Sequence, residues 1–122
     1  MVLSKGADDE VFILKSFELQ IMISELIDFI NSNGNLFEVI ECETDILLNL
    51  NGSDYINPSN LNSMSEFRVD EPVLVAKIDD YEFLIDGNHR LQKRKVFSKF
   101  KTKYIPINGE LLDQFVREFS IR

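Results

Sequence analysis

The apolar positions change period several times along this chain. Val11 to Ile23 fits two patterns at once. Phe17, Leu19, Ile21 and Ile23 alternate with Glu18, Gln20 and the less polar Met22, the period of a half-buried strand. Leu19, Ile23, Ile27 and Ile30 equally fit a helix running on into the next segment; the alternation tips the reading toward a strand. Ser24 then offers an N-cap, Glu25 and Asp28 place acids early, and Leu26, Ile27 and Ile30 supply an apolar face. Asn33-Gly34 is a stop. The chain therefore predicts strand, then helix, before residue 34.

Downstream, Phe37, Val39 and Ile40 suit a strand, and Thr44-Asp45 caps a short helical turn through Ile46-Leu47-Leu48. Asn49 to Ser65, with Asn51-Gly52-Ser53-Asp54 and Asn57-Pro58-Ser59-Asn60, reads as a long polar loop, a feature that in a small domain often carries function. Pro72 to Ile78 is a near-continuous apolar run, Asp79-Asp80 a turn, and Tyr81 to Ile85 the return strand of a hairpin. Asn88 to Phe97 predicts a helix. Tyr104-Ile105-Pro106-Ile107 predicts a short last strand, its proline suited to an edge. Gly109 to Phe119 predicts a terminal amphipathic helix burying Leu111, Leu112, Phe115, Val116 and Phe119. Strands and helices mix without repeats, so the expected class is α+β in one compact domain spanning residues 1–122, with residues 1–10 frayed.

A length of 122 residues and 44% apolar composition support one domain rather than two. No apolar run approaches the ~18 residues of a membrane span. Met1 to Glu10 has an acidic Ala7-Asp8-Asp9-Glu10 and lacks a signal-peptide layout. The lone Cys42 has no internal disulfide partner and sits in an apolar strand context, as inert core material. The expectation is a cytoplasmic protein with no membrane partner. The ten Phe read as core rather than as a stacking platform.

Charge sharpens this. A net charge of −8 disfavours nucleic acid as a partner. Yet Gly87 to Gly109 holds seven bases (Arg90, Lys93, Arg94, Lys95, Lys99, Lys101 and Lys103) and no acid; six bases and 21 acids make up the rest. Such an island is where an anion would go, unless its lysines line a solvated face and balance acidic neighbours. Lys93, Arg94 and Lys95 are the candidate patch for an anionic partner.

The chemistry concentrates at Asp86-Gly87-Asn88-His89-Arg90. A strand runs out, a glycine permits a tight turn, and a helix starts with its first amides and its dipole directed at whatever lies in front. Gly87 would let a phosphate approach the main chain, and His89 and Arg90 add donors. Cations in a helix's first turn are locally unfavourable, which an anion among them would relieve. Against this, Arg90 pairing with a carboxylate and Gly87 merely making the turn would be architecture alone. Asp86 reads as a cap or as a catalytic or metal-binding carboxylate.

Phe83 to Ile107, with its Ile85-Asp86-Gly87-Asn88-His89-Arg90-Leu91 core and Tyr104-Ile105-Pro106-Ile107, resembles the ParB/sulfiredoxin-like superfamily, whose members share a Gly-x-x-Arg or Asp-Gly-x-His-Arg turn leading a helix. By pattern the resemblance extends back through Pro72–Val75 and Ile56-Asn57-Pro58 to Phe37–Glu41, a ParB-like core of residues 37–107 between an N-terminal extension and a C-terminal helix. It implies nucleotide handling: partition proteins of this kind bind CTP, sulfiredoxin uses ATP, and a free serine kinase shares the fold. Carried over, Gly87, Asn88, His89 and Arg90 would hold a nucleotide (ATP or CTP) or another phosphate ligand, with Mg²⁺ near Asp86 and phosphoryl transfer or hydrolysis as the chemistry.

The departures limit that transfer. Asn88 stands where sulfiredoxin has its reactive Cys, which argues against sulfinic-acid reduction. A helix-turn-helix DNA reader has no room here, and Gln92-Lys93-Arg94-Lys95 replaces the family's Ala-rich helix. No residue stands out as a kinase base. Glu66 to Glu71, with Arg68 and Asp70, reads as a pocket rim or a plain polar loop. Two rivals remain: a small acidic inhibitor, immunity or phage-type antagonist that binds a protein partner and keeps the fold as scaffold, and a DNA-linked regulator or nuclease. A homodimer stays open.

Overall fold

A computed structural model describes residues 3, 11–14, 19–50 and 70–118. They form an α+β fold with two sheets. Strands β1 (Val11–Leu14), β2 (Leu19–Met22) and, at the far end of the chain, β7 (Val116–Glu118) make an antiparallel sheet in the order β1-β2-β7. The second sheet has the order β3-β6-β4-β5, from β3 (Ile40–Glu43), β4 (Val73–Ile78), β5 (Tyr81–Asp86) and β6 (Lys101–Asn108). Within it β4 and β6 run parallel and the outer pairs antiparallel. The helices are α1 (Ile23–Ser32), α2 (Thr44–Leu48), α3 (Asn88–Val96) and α4 (Gly109–Leu112). None of the described helices is long and apolar enough to cross a membrane.

The near-continuous apolar run of β4 has a simple cause: the strand is buried on both faces. Its Leu74 and Ala76 join Ile85, Ile105 and Ile107 against the Ile23, Leu26, Ile27 and Ile30 face of α1, with Ile21, Leu112 and Phe115 completing that cluster. Its Val73 and Val75 face the opposite way and pack with Leu84, Leu47 of α2 and Leu91 of α3. The sheet is thus a central layer, with α1 on one side and α2 and α3 on the other. Each of these buried aliphatics contributes about 1.5–3 kcal/mol.

Several expectations hold. Within the alternation, Leu19–Met22 is a strand, while Phe17 and Glu18 lie outside the described residues; the helix after it stops at Asn33, and the β4–β5 hairpin turns through Asp79-Asp80, where Asp79 takes the left-handed conformation (φ 54°) that a short polar side chain tolerates. Others are corrected. Ser24 does not cap α1: Met22 holds that position without a side-chain hydrogen bond, and Ser24 is buried in the first turn. Phe37 and Val39 precede β3 rather than lying in it. Thr44 is the first residue of α2, not its cap, because its hydroxyl is drawn to β6.

Tyr104–Ile107 belongs to a longer strand that is central, not an edge. Pro106 is tolerated because β3 pairing ends at Tyr104, leaving that stretch flanked by β4 alone. The expected helix over Gly109–Phe119 is one α-helical turn, Gly109–Leu112, followed by a 3-10 turn, Asp113–Phe115; Asn108 caps it, its side chain accepting the Leu111 amide at 2.8 Å. Leu112 and Phe115 then plunge into the core, and Val116–Glu118 pairs with β2 instead of continuing the helix. A free edge on β2 satisfies more backbone groups than another exposed helical turn. Residues 1–2 and 4–10, the polar stretch 51–69 with Ile56-Asn57-Pro58, Glu66 and Arg68, and Phe119 lie outside the described residues.

Candidate functional site

The strand-turn-helix at Asp86–Arg90 forms as expected, and its geometry explains why glycine is needed. Just before the turn the β4–β5 register slips: Val75 faces Leu84, but Leu74 faces Asp86, making Ile85 the extra residue. Gly87 then takes φ 107°, and a Cβ built on it would lie 2.4 Å from Val73 Cγ1 and 3.1 Å from Arg90 Nη2. The close approach that Gly87 permits is therefore that of Val73 and Arg90, where the sequence suggested a ligand phosphate. The α3 ladder begins with the Leu91 amide on Gly87 O at 2.9 Å, so Asn88, His89 and Arg90 form the opening turn, which carries no acid. Asn88 and His89 are half-buried.

Arg90 turns inward and is 3% exposed. Its Nη2 donates to Asp86 Oδ2 at 2.9 Å and to Pro72 O at 3.3 Å, and its Nη1 lies 4.0 Å from Glu71 Oε2. Two carboxylates thus compensate one buried guanidinium. Its Nε–H is buried with no acceptor among the described residues. Asp86 is held by this ion pair, and it is Gly87 that occupies the helix N-cap. Among the described residues no three His, Cys, Asp or Glu side chains converge as a metal site.

One turn on, Arg94 makes a second anchor. Its Nη1 donates to Asp70 Oδ1 at 2.9 Å, its Nη2 to Lys101 O, and its Nε to Thr102 Oγ1 at 2.9 Å. Thr102 Oγ1 lies 2.6 Å from Thr44 Oγ1, which is 2.9 Å from Lys99 O. Only one direction gives each hydroxyl hydrogen a single acceptor: Thr44 donates to the carbonyl, Thr102 donates to Thr44, and Arg94 donates to Thr102. Arg90 and Arg94 together grip Asp70-Glu71-Pro72, the segment entering β4. Sequence reasoning treated residues 66–71 as a rim or a loop; the i, i+4 spacing of the two arginines is the signal that was there to read.

Of the proposed patch Lys93, Arg94 and Lys95, Arg94 is tied to Asp70, Lys93 is half-buried and only Lys95 is exposed. Lys93 Nζ stands 5.2 Å above the Phe97 ring, and exposed Lys95 is 3.8 Å from Asp45. Lys99 reaches Asp70 at 3.6 Å, and Lys101 and Lys103 lie opposite Glu43 and Glu41 in the β3–β6 ladder. The basic island is thus largely balanced by acids that are distant in sequence. Cys42 is half-buried against the cluster of Leu47 and Val75 rather than in the core, and burial raises its thiol pKa. Burial raises the neighbouring Tyr104 in the same way.

Comparison with known proteins gives no match to a family model, a curated protein or a solved structure.

Proposed function

We propose that the chain binds a phosphate-bearing ligand, a nucleotide by its resemblance to ParB/sulfiredoxin-like proteins, at the opening turn of α3. The observation that carries this reading is Arg90: a buried guanidinium in the first turn of a helix, with one donor, Nε, that finds no acceptor among the described residues. A buried donor without a partner is uncommon, and a bound anion is one of the groups that would satisfy it. A phosphate at this helix terminus would meet the dipole, the His89 imidazole and an arginine already oriented by Asp86 and Glu71. Asp86 and Glu71 then serve as positioning residues, and any phosphoryl transfer with Mg²⁺ would rest on charge neutralisation and alignment.

Thermal unfolding of the wild type, His89→Ala and Arg90→Lys with Mg²⁺ plus ATP, CTP, GTP, ADP or pyrophosphate tests it. Ligand at about a hundred times its Kd adds roughly 2.7 kcal/mol, several degrees for a domain of this size. One ligand should shift the wild type and lose most of that shift in both variants. An unmoved midpoint with all five ligands overturns the reading and leaves Arg90 as a purely architectural anchor.

A further inference from the structure

The described surface carries few large apolar side chains, and four of them gather at the end of α3 opposite the proposed phosphate site. Val96 is 65% exposed, Phe97 43%, Phe100 72%, and Ile46, on the adjacent α2, 53%. The Arg94–Thr102–Thr44–Lys99 chain of hydrogen bonds and the Thr44 amide on Phe100 O at 2.8 Å hold the 97–101 connection against α2. This firmly tied connection therefore presents Phe100 to solvent as part of its fixed shape. Clustered, rigidly presented aromatics are what interfaces bury at their centre, whereas scattered exposed apolar residues need no explanation.

The charges around the patch select the occupant. Lys93 lies over Phe97, Lys95 adjoins Val96, and Lys99 and Lys101 flank Phe100. With Arg94 these are five bases, against Asp45, Asp70 and Glu43 as the acids beside or opposite them, a local surplus of two among the described residues on a chain whose net charge is −8. A polyanion such as nucleic acid or an anionic bilayer would feel the acidic remainder as well as this small surplus. A second copy docking through the same patch would place the lysines against themselves, since a two-fold contact matches a surface with itself.

We infer that Val96, Phe97, Phe100 and Ile46, rimmed by Lys93, Lys95 and Lys99, form a docking surface for a short acidic segment of another protein bearing apolar anchors. This goes beyond the phosphate reading and does not depend on it. A phage-displayed library of random 16-residue peptides selected on the full chain should return sequences rich in Asp/Glu together with Leu, Phe or Trp. Synthetic copies should lose about tenfold or more in affinity toward Phe97→Ser/Phe100→Ser and toward Lys93→Glu/Lys95→Glu. Both variants should keep the wild-type unfolding midpoint.

Four results would overturn the inference: no enrichment; basic or neutral winners; peptides whose binding survives both double variants; or the patch variants instead abolishing a concentration-dependent dimer or binding to phosphatidylserine vesicles. His89→Ala should leave peptide affinity unchanged, which keeps this outcome separate from that of the phosphate test.

Discussion

Two faces of α3 carry similar residues and treat them in opposite ways. On the inner face, Arg90 and the half-buried Arg94 are matched to Asp86, Glu71 and Asp70. On the outer face, half-buried Lys93 and exposed Lys95 stand near the exposed Val96 and Phe97. Chemistry accounts for the division. A guanidinium presents a planar fork of donors that can satisfy a carboxylate, a carbonyl and a hydroxyl at once, and it is less strongly hydrated than an ammonium. Arginine is therefore the base that can be buried, and lysine the one left outside. A run of positive residues in a sequence thus divides into internal anchors and external contacts, and counting charge alone overstates the second.

That contrast can be broken most severely at Arg90. Arg90→Met removes the cation that pairs with Asp86 and neighbours Glu71, and urea unfolding should register a loss of about 3–5 kcal/mol. Adding Asp86→Leu and Glu71→Leu should recover a large part of it, since replacing a buried ion cluster entirely by apolar groups is often neutral. Next comes Gly87→Ala, which forces a left-handed alanine and a 2.4 Å contact with Val73. Strain and overpacking together should cost roughly 2–4 kcal/mol by the same measurement. On the outer side, Phe100→Ser should move stability by less than about 0.5 kcal/mol, because little area is lost from a side chain that is mostly in water. A large loss there would mean that the patch is part of the core, and the two sides would no longer differ.

Much of this was legible in the sequence. The β4–β5 hairpin, the Gly87 turn and the span of α3 all follow from local signals: an apolar run, a turn pair, and a glycine between strand and helix. The carboxylate partner of Arg90 was legible as an option, four residues back at Asp86. Glu71, Asp70, Asp45 and the β3 acids were not, because their proximity to the basic segment depends on how the sheet is ordered. The same ordering placed Pro106 in a central strand and gave Val116–Glu118 a strand partner in β2, where local periodicity had favoured an edge and a helix.

By itself, then, the sequence determined the α+β class, the order of most elements and the one turn where a helix opens on a glycine, since these depend on short-range sterics and hydrophobic period. Tertiary structure decided which bases are spent inside, which aromatics are left uncovered and which strand lies between others. Those outcomes are set by long-range pairing, in which a group's partners are chosen by the whole fold competing to satisfy its buried charges and backbone, and no local window contains that competition.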